Sequence, residues 1–243
     1  MFFHTHVYYS KKVDENLDSL KVIGSMLPDF ALTSVITWDN LHKKKDILDF
    51  SSYIEKSEPD FVSLLKGINY HNTVDYLTHV KYKNTIGYAY NSITPKLISL
   101  VSKVFLVDEK RARISSHNCI ESGVEFYLLN DNPDLAQLVK DSIKEINKQK
   151  LAKVLATFYK KSEKEMLDNL NILFSFATNY DLKDIDGWVM LWSDLNKFYL
   201  KKEANKDLVK EAIQLSLEIT KNTYKEFIET AISSKNTEIK DCN

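Results

Sequence analysis

A chain of 243 residues, 44% hydrophobic and 28% charged, is long enough for one domain with a sizeable core. The net charge of −1 gives no general attraction to nucleic acid, and five glycines and four prolines are too few for the turns of an all-β barrel. Two cysteines, Cys119 and Cys242, cannot form a disulfide framework. We therefore expect a helical, cytoplasmic protein without a signal peptide or a membrane span.

Hydrophobic periodicity predicts helices along most of the chain. The segment 33–56 contains a lysine run and is predicted as loop and short helix. A helix start with a hydroxyl cap is predicted at Ser57-Glu58-Pro59-Asp60, and breaks are predicted at 82–92 and 130–134. The predicted helical segments are 17–30, 60–81, 94–107, 108–129, 134–148, 150–160, 162–178, 183–200 and 204–233.

The predicted fold is an all-α, multi-helix bundle around a metal site. Residues 1–130 contain the candidate chemistry and are predicted to form the metal-binding helical core. Residues 131–243 have no chemical signature, and we expect them to pack on that core as a helical C-terminal half of the same domain. They could shape the pocket or form a dimer contact.

Two histidine–carboxylate pairs lie in predicted helices among apolar neighbours. His71/Asp75 and His117/Glu121 are each spaced four residues apart, so each pair projects from one helix face. A buried imidazole and carboxylate must be paired with each other or bind something, and together they suit a divalent metal. The alternative is an ion pair on a helix surface or a hydrogen-bonded core histidine. A third such spacing, His42/Asp46, is interpreted as accidental in a solvated, lysine-rich loop.

Three further residues are candidates for the same site. Asp29 follows Pro28 at a helix end, near a Gly24-Ser25 pair that allows close approach of a neighbouring helix; capping is its alternative role. His4 and His6 point in opposite directions on a helix, so at most one is a ligand, and His6 is preferred. His79 follows Asp75 by another turn and is a candidate ligand, supporting partner or general acid.

Other notable residues are predicted to have structural roles. Cys119, Trp188 and Trp192 are interpreted as buried packing residues. The tyrosines that follow the first motif are interpreted as packing aromatics of a connecting loop, with a gate over the site as the alternative. They are Tyr82, Tyr88 and Tyr90.

The order of these motifs resembles the bacterial acyl carrier protein phosphodiesterase family. That family is similar to the HD-domain phosphohydrolases and, more broadly, to the helical zinc-dependent phospholipase C proteins. The resemblance covers about residues 1–130, but the adjacent His-Asp dipeptide is missing, and the His-x3-Glu of the later helix is closer to the phospholipase C pattern. The motifs are Phe2-Phe3-His4-Thr5-His6, Gly24-Ser25-Met26-Leu27-Pro28-Asp29-Phe30, the segment from Gly67-Ile68 through His71 and Asp75 to His79, and His117 with Glu121.

The resemblance implies hydrolysis of a phosphodiester or phosphomonoester by a metal-activated water. The substrate would be a small-molecule or lipid-like phosphoester, with a carrier protein as a possible partner. Arg113, one turn before His117, is a candidate phosphate clamp, with an exposed helix-start residue as the alternative. One or two ions of zinc, manganese, iron or nickel would be held by His6, Asp29, His71, Asp75, His117 and Glu121.

Two other function classes stay open at this point. A metal-binding storage, sensor or scaffold protein would keep the ligands without catalysis. A helical interaction module would use its histidines structurally and would bind no metal.

Overall fold

The structure, a computed structural model, describes residues 3–234, and this part of the chain is helical without a β-strand, which confirms the all-α prediction. No helix in it is long and apolar enough to cross a membrane. Its α-helices are α1 Phe3–Val13, α2 Ser19–Met26, α3 Asp39–His42, α4 Lys44–Ser57, α5 Val62–Asp75, α6 Tyr88–Asn91, α7 Pro95–Phe105, α8 Glu109–Asp131, α9 Leu135–Glu145, α10 Lys148–Tyr159, α11 Glu163–Thr178, α12 Ile185–Leu200, α13 Lys206–Thr220 and α14 Tyr224–Ser233.

Two 3₁₀ segments and one π-helix adjoin these helices. A 3₁₀ helix at Leu27–Thr33 continues α2, and a 3₁₀ turn at Pro59–Phe61 precedes α5. A π-helix at Tyr76–Val80 continues α5. π-Turns inside α-helices often occur at functional sites, and this one contains His79.

Helices α2 and α5 cross with their backbones in contact. A Cβ atom on Gly24 would lie 2.2 Å from the Leu64 carbonyl oxygen, and one on Gly67 would lie 2.2 Å from the Lys21 carbonyl oxygen. Neither position has room for a side chain, so the expected close approach at Gly24-Ser25 is confirmed. The crossing places the Ser25 carbonyl oxygen 2.9 Å from Nδ1 of His71.

Helix α8 connects the candidate site to the C-terminal helices. It contacts α1, α7 and α13, and α9 contacts α1 and α2. The side chains of α8 are buried along most of the second half of that helix, including two carboxylates, Glu121 and Glu125. Cys119, Trp188 and Trp192 are buried, as expected, whereas Cys242 lies outside the described residues.

Three boundary predictions are wrong. Residues 44–57 form a complete helix, because Ile47, Phe50 and Ile54 supply a buried stripe that outweighs the lysine run. Ser57 ends that helix instead of capping the next one. The segment 204–233 forms two helices, α13 and α14, instead of one. The turn between them follows Thr220 and contains no glycine or proline, so the sequence does not indicate it.

Candidate metal centre

Five of the six histidines converge on two buried carboxylates, Asp75 and Glu121. They come from five helical segments, of which only α5 and the π-helix are adjacent in sequence. The histidines are His6 on α1, His42 at the end of α3, His71 on α5, His79 on the π-helix and His117 on α8.

Asp75 is the centre of the first half of this cluster. Its Oδ2 lies 3.4 Å from Nε2 of His42 and 3.4 Å from Nε2 of His71, and its Oδ1 lies 3.4 Å from Nε2 of His6. These separations are longer than an N–H···O hydrogen bond. They match the roughly 3.3 Å edge of a tetrahedron whose ligands lie ~2.0–2.1 Å from a central zinc-like ion.

Backbone carbonyls fix the orientation of two of these rings. Nδ1 of His71 donates to the Ser25 carbonyl oxygen, and Nδ1 of His42 donates to the Trp38 carbonyl oxygen over 2.8 Å. In a neutral ring the proton is then on Nδ1, so the Nε2 lone pair is directed at Asp75. Lone pairs of nitrogen and oxygen that face each other repel unless a proton or a metal cation lies between them. A ring whose other nitrogen donates to a backbone carbonyl is typical of metal-ligating histidines.

Asp29 extends the first half of the cluster from the 3₁₀ helix that follows α2. It forms a group with His6 and His71 whose ligand atoms lie within 4.8 Å of one another, and all three residues are buried. Oδ2 of Asp29, Nε2 of His42, Nε2 of His71 and Oδ2 of Asp75 are buried without a hydrogen-bond partner within residues 3–234. Buried polar atoms of native proteins are nearly always paired, so four such atoms at one place favour a bound cation.

His79, His117 and Glu121 form the second half. Nε2 of His79 lies 2.7 Å from Oε1 of Glu121, and its Nδ1 lies 3.6 Å from Oδ2 of Asp75. Nε2 of His117 lies 3.9 Å from the same Glu121 oxygen, while its Nδ1 bonds to the Ile114 carbonyl. These three residues form another possible metal-holding group, and His79 joins it to Asp75.

Burial and charge shift the pKa values of the cluster in opposite directions. Burial lowers the pKa of His6 and His42 below the ordinary value, and that of His117 to about 4. Burial acts the same way on His71 and His79, but the Asp75 carboxylate raises their pKa.

The carboxylates are shifted as well. Burial raises the pKa of Asp29 to about 6. Burial acts the same way on Asp75, but the neighbouring His71 and His79 lower its pKa well below the ordinary value. The lowered pKa values of Asp75, His6, His42 and His117 favour their deprotonated forms, which are the forms that bind a metal. The raised pKa values of His71 and His79 favour a proton on these rings, which a bound metal would displace.

His42 corrects the sequence interpretation. The predicted solvated loop is wrong, because the side chain is completely buried and stacks on Trp38, with ring centroids 3.3 Å apart. Its partner is Asp75, 33 positions away, so no spacing along the chain could reveal the pair. No pattern in the sequence distinguishes His42 from a surface histidine.

The other predicted residues are placed as follows. Arg113 is exposed on α8, one turn before His117, and its role as a phosphate clamp stays a prediction. Tyr82 and Tyr88 pack against Phe227, as interpreted, whereas the Tyr90 ring lies 5.0 Å from that of His117, at the edge of the cluster.

His4 is the sixth histidine and lies outside the cluster. Helix α1 directs it away from His6, as expected for a helical segment, and its Nδ1 lies 2.7 Å from Oε1 of Glu125. Oε2 of Glu125 also accepts from the His4 backbone N–H over 3.2 Å. This buried pair was not predicted. The feature of the sequence that points to Glu125 is its position one turn after Glu121, on the same face of α8.

Comparisons with protein-family models, with curated proteins and with solved structures found no match for this chain. The resemblance to the phosphodiesterase and phospholipase C proteins therefore stays an expectation from the motifs. The site is interpreted below from its own residues.

Proposed function

We propose that this protein is a metal-dependent hydrolase that cleaves phosphoesters with a metal-activated water. The observation that carries the proposal is the convergence of unpaired Nε2 and carboxylate atoms around Asp75, at separations that suit ligands of one ion. A divalent ion bound there would lower the pKa of a bound water towards ~7 and polarise a phosphoryl oxygen.

The cluster has a closed half, whose side chains are buried, and an open half, whose histidines are partly exposed. His6, Asp29, His42, His71 and Asp75 are buried and would hold one ion rigidly, with the Ser25 and Trp38 carbonyls orienting two of the rings. In the open half, the side chains of His79 and His117 are 14% and 16% exposed. A substrate would therefore approach the cluster at these two residues.

His79 is the residue best placed to move a proton. It contacts Glu121 through Nε2 and faces Asp75 through Nδ1, and its raised pKa favours a proton on the ring near neutral pH. We propose that Glu121 holds the ring through Nε2 while Nδ1 gives its proton to the leaving oxygen, which leaves His79 as a neutral imidazole. Arg113, exposed one turn before His117, is proposed to attract the phosphate group.

Metal binding without catalysis is the second candidate. It is favoured by the complete burial of His42, His71 and Asp75, because structural metal sites are closed whereas catalytic sites keep an open position. The open half of the cluster favours the hydrolase, because its partly exposed histidines give a substrate access.

Turnover of bis(4-nitrophenyl) phosphate and 4-nitrophenyl phosphate distinguishes a hydrolase from a non-catalytic metal-binding protein. The untagged protein would be stripped with a chelator and reconstituted in turn with zinc, manganese, iron and nickel. We expect turnover that depends on the metal, falls about a hundredfold in His79→Gln and persists in His4→Gln, the matched histidine outside the cluster. A protein that binds metal but shows no more turnover than its His71→Ala variant, with every metal, would leave the non-catalytic candidate.

A further inference from the structure

A cleft of about 300 Å³ opens next to the metal centre, between α7, α8, α12 and the 3₁₀ helix that follows α2. Its walls are mainly apolar. Its volume is at the lower end of the ~300–1,000 Å³ that is usual for small-molecule sites. The apolar side chains that line it include Leu32, Phe105, Val107, Trp192, Leu195 and Leu200.

The cleft and the metal centre share structural elements. Leu32 lies one turn after Asp29 on the same 3₁₀ helix, and Asn118 lies one turn before Glu121 on α8. Tyr199 also lines the cleft, and its phenol has a pKa raised first by burial and then by the Asp29 carboxylate. A molecule in the cleft would therefore lie within reach of a group bound at the metal ligands.

Asn196 gives the cleft a specific polar feature. The residue lines the cleft but is only 3% exposed, and its Nδ2 donates to the Lys202 carbonyl oxygen over 2.8 Å. This bond fixes the orientation of the amide, so the remaining group is the carbonyl oxygen. Oδ1 is buried without a hydrogen-bond partner in the described part of the chain. An unpaired buried acceptor costs free energy unless a donor reaches it.

We propose that this cleft binds an uncharged, mainly apolar group carrying an N–H or O–H donor, which bonds to Oδ1 of Asn196. Resting on the proposed function, we further propose that this group is part of the phosphoester substrate. The apolar walls contribute most of the binding, and Asn196 selects for the donor.

Two amides that differ in a single N–H group test the binding step. N-methyloctanamide can donate to Asn196, whereas N,N-dimethyloctanamide has the same chain and carbonyl but no donor. Calorimetric titration with chelator present makes the measurement independent of any metal. We expect the wild type to bind the N–H amide about tenfold more tightly.

Two variants separate the polar contribution from the apolar one. Asn196→Leu should bind both amides with similar affinity, whereas Asn169→Leu, the same change on α11 outside the cleft, should keep the preference. Val107→Trp, at the half-buried rim, should block both amides and leaves Asn196 in place. The binding proposal is overturned if the wild type binds neither amide up to the solubility limit, if Asn196→Leu keeps the preference, or if Val107→Trp binds as wild type does.

Kinetics with reconstituted protein test the link to the substrate. N-methyloctanamide should compete with 4-nitrophenyl octyl phosphate and raise its KM, with a smaller effect on bis(4-nitrophenyl) phosphate. Equal inhibition of both substrates, or none, would overturn the link. Amide binding without any phosphoester turnover would instead contradict the proposed function and leave the ligand class of the cleft intact.

Discussion

Replacing Asp29 by asparagine should stabilise the metal-free protein. Asp29 is 5% exposed, and burial raises the pKa of its carboxyl from 3.8 to about 6. The folded chain therefore holds this proton more tightly than the unfolded chain, and stability is lost as the pH rises from about 4 to about 6. A shift of this size corresponds to about 3 kcal/mol at pH 7, since one pKa unit is ~1.4 kcal/mol.

Thermal unfolding in chelator, followed by circular dichroism at several pH values, measures this effect. At pH 7.5 we expect Tm of Asp29→Asn to be roughly 6–12 °C above that of wild type, given ~2–4 °C per kcal/mol for a chain of this size. The difference should disappear near pH 4, where the wild-type carboxyl is protonated. Added zinc should raise Tm of the wild type far more than that of the variant, because the variant lacks an anionic ligand.

Asp14→Asn is the matched control with the opposite sign. Burial would raise the pKa of Asp14, but the hydrogen bond from Lys21, with Nζ 2.9 Å from Oδ2, lowers it, so losing the charge should lower Tm. The reasoning is refuted if Asp29→Asn lowers Tm of the metal-free protein at pH 7.5, or if its effect is the same at pH 4 and pH 7.5.

Three further predictions concern packing, metal ligation and reactivity. Gly24→Ala should lower stability by about 1–3 kcal/mol or more, measured by urea unfolding, because its Cβ would lie 2.2 Å from a backbone oxygen; an unchanged midpoint would contradict the packing of α2 on α5. His42→Gln should weaken zinc affinity at least ~10-fold in a competition titration with a chromophoric chelator, with His4→Gln as the control, and equal affinities would remove His42 from the site. Cys119, whose pKa burial raises to about 12, should resist alkylation at pH 8 until the protein unfolds, as checked by mass spectrometry of its peptide.

Periodicity along the chain predicted the parts of the site that are local in sequence. His71 and Asp75 lie on one face of α5, as the spacing predicts, and Nε2 of His71 is 3.4 Å from Asp75. The same reasoning placed Glu121 and His117 one turn apart on α8. These pairs could be predicted because a helix fixes the distance between residues four apart, whatever the rest of the fold does.

The long-range part of the site could not be predicted in this way. His42 reaches Asp75 through the packing of α3 beside α5, and a spacing rule along the chain contains no information on that packing. The helix at 44–57 could not be predicted for a related reason. The lysine run at its start is typical of a solvated loop, and the stripe of Ile47, Phe50 and Ile54 stabilises the helix only when it packs on the core. The unpaired Oδ1 of Asn196 depends on the Lys202 carbonyl, which only the folded chain positions.

Metal content of the purified, untagged protein is the most direct test of the central claim. Mass spectrometry of the metals would compare wild type, His71→Ala, His117→Ala and the His4→Gln control, each after reconstitution with zinc, manganese, iron and nickel. The account predicts near-stoichiometric metal in wild type and in His4→Gln, and a loss in the two other variants. A wild-type protein that retains none of these metals would contradict it, and the buried histidines would then be structural residues of a helical interaction module.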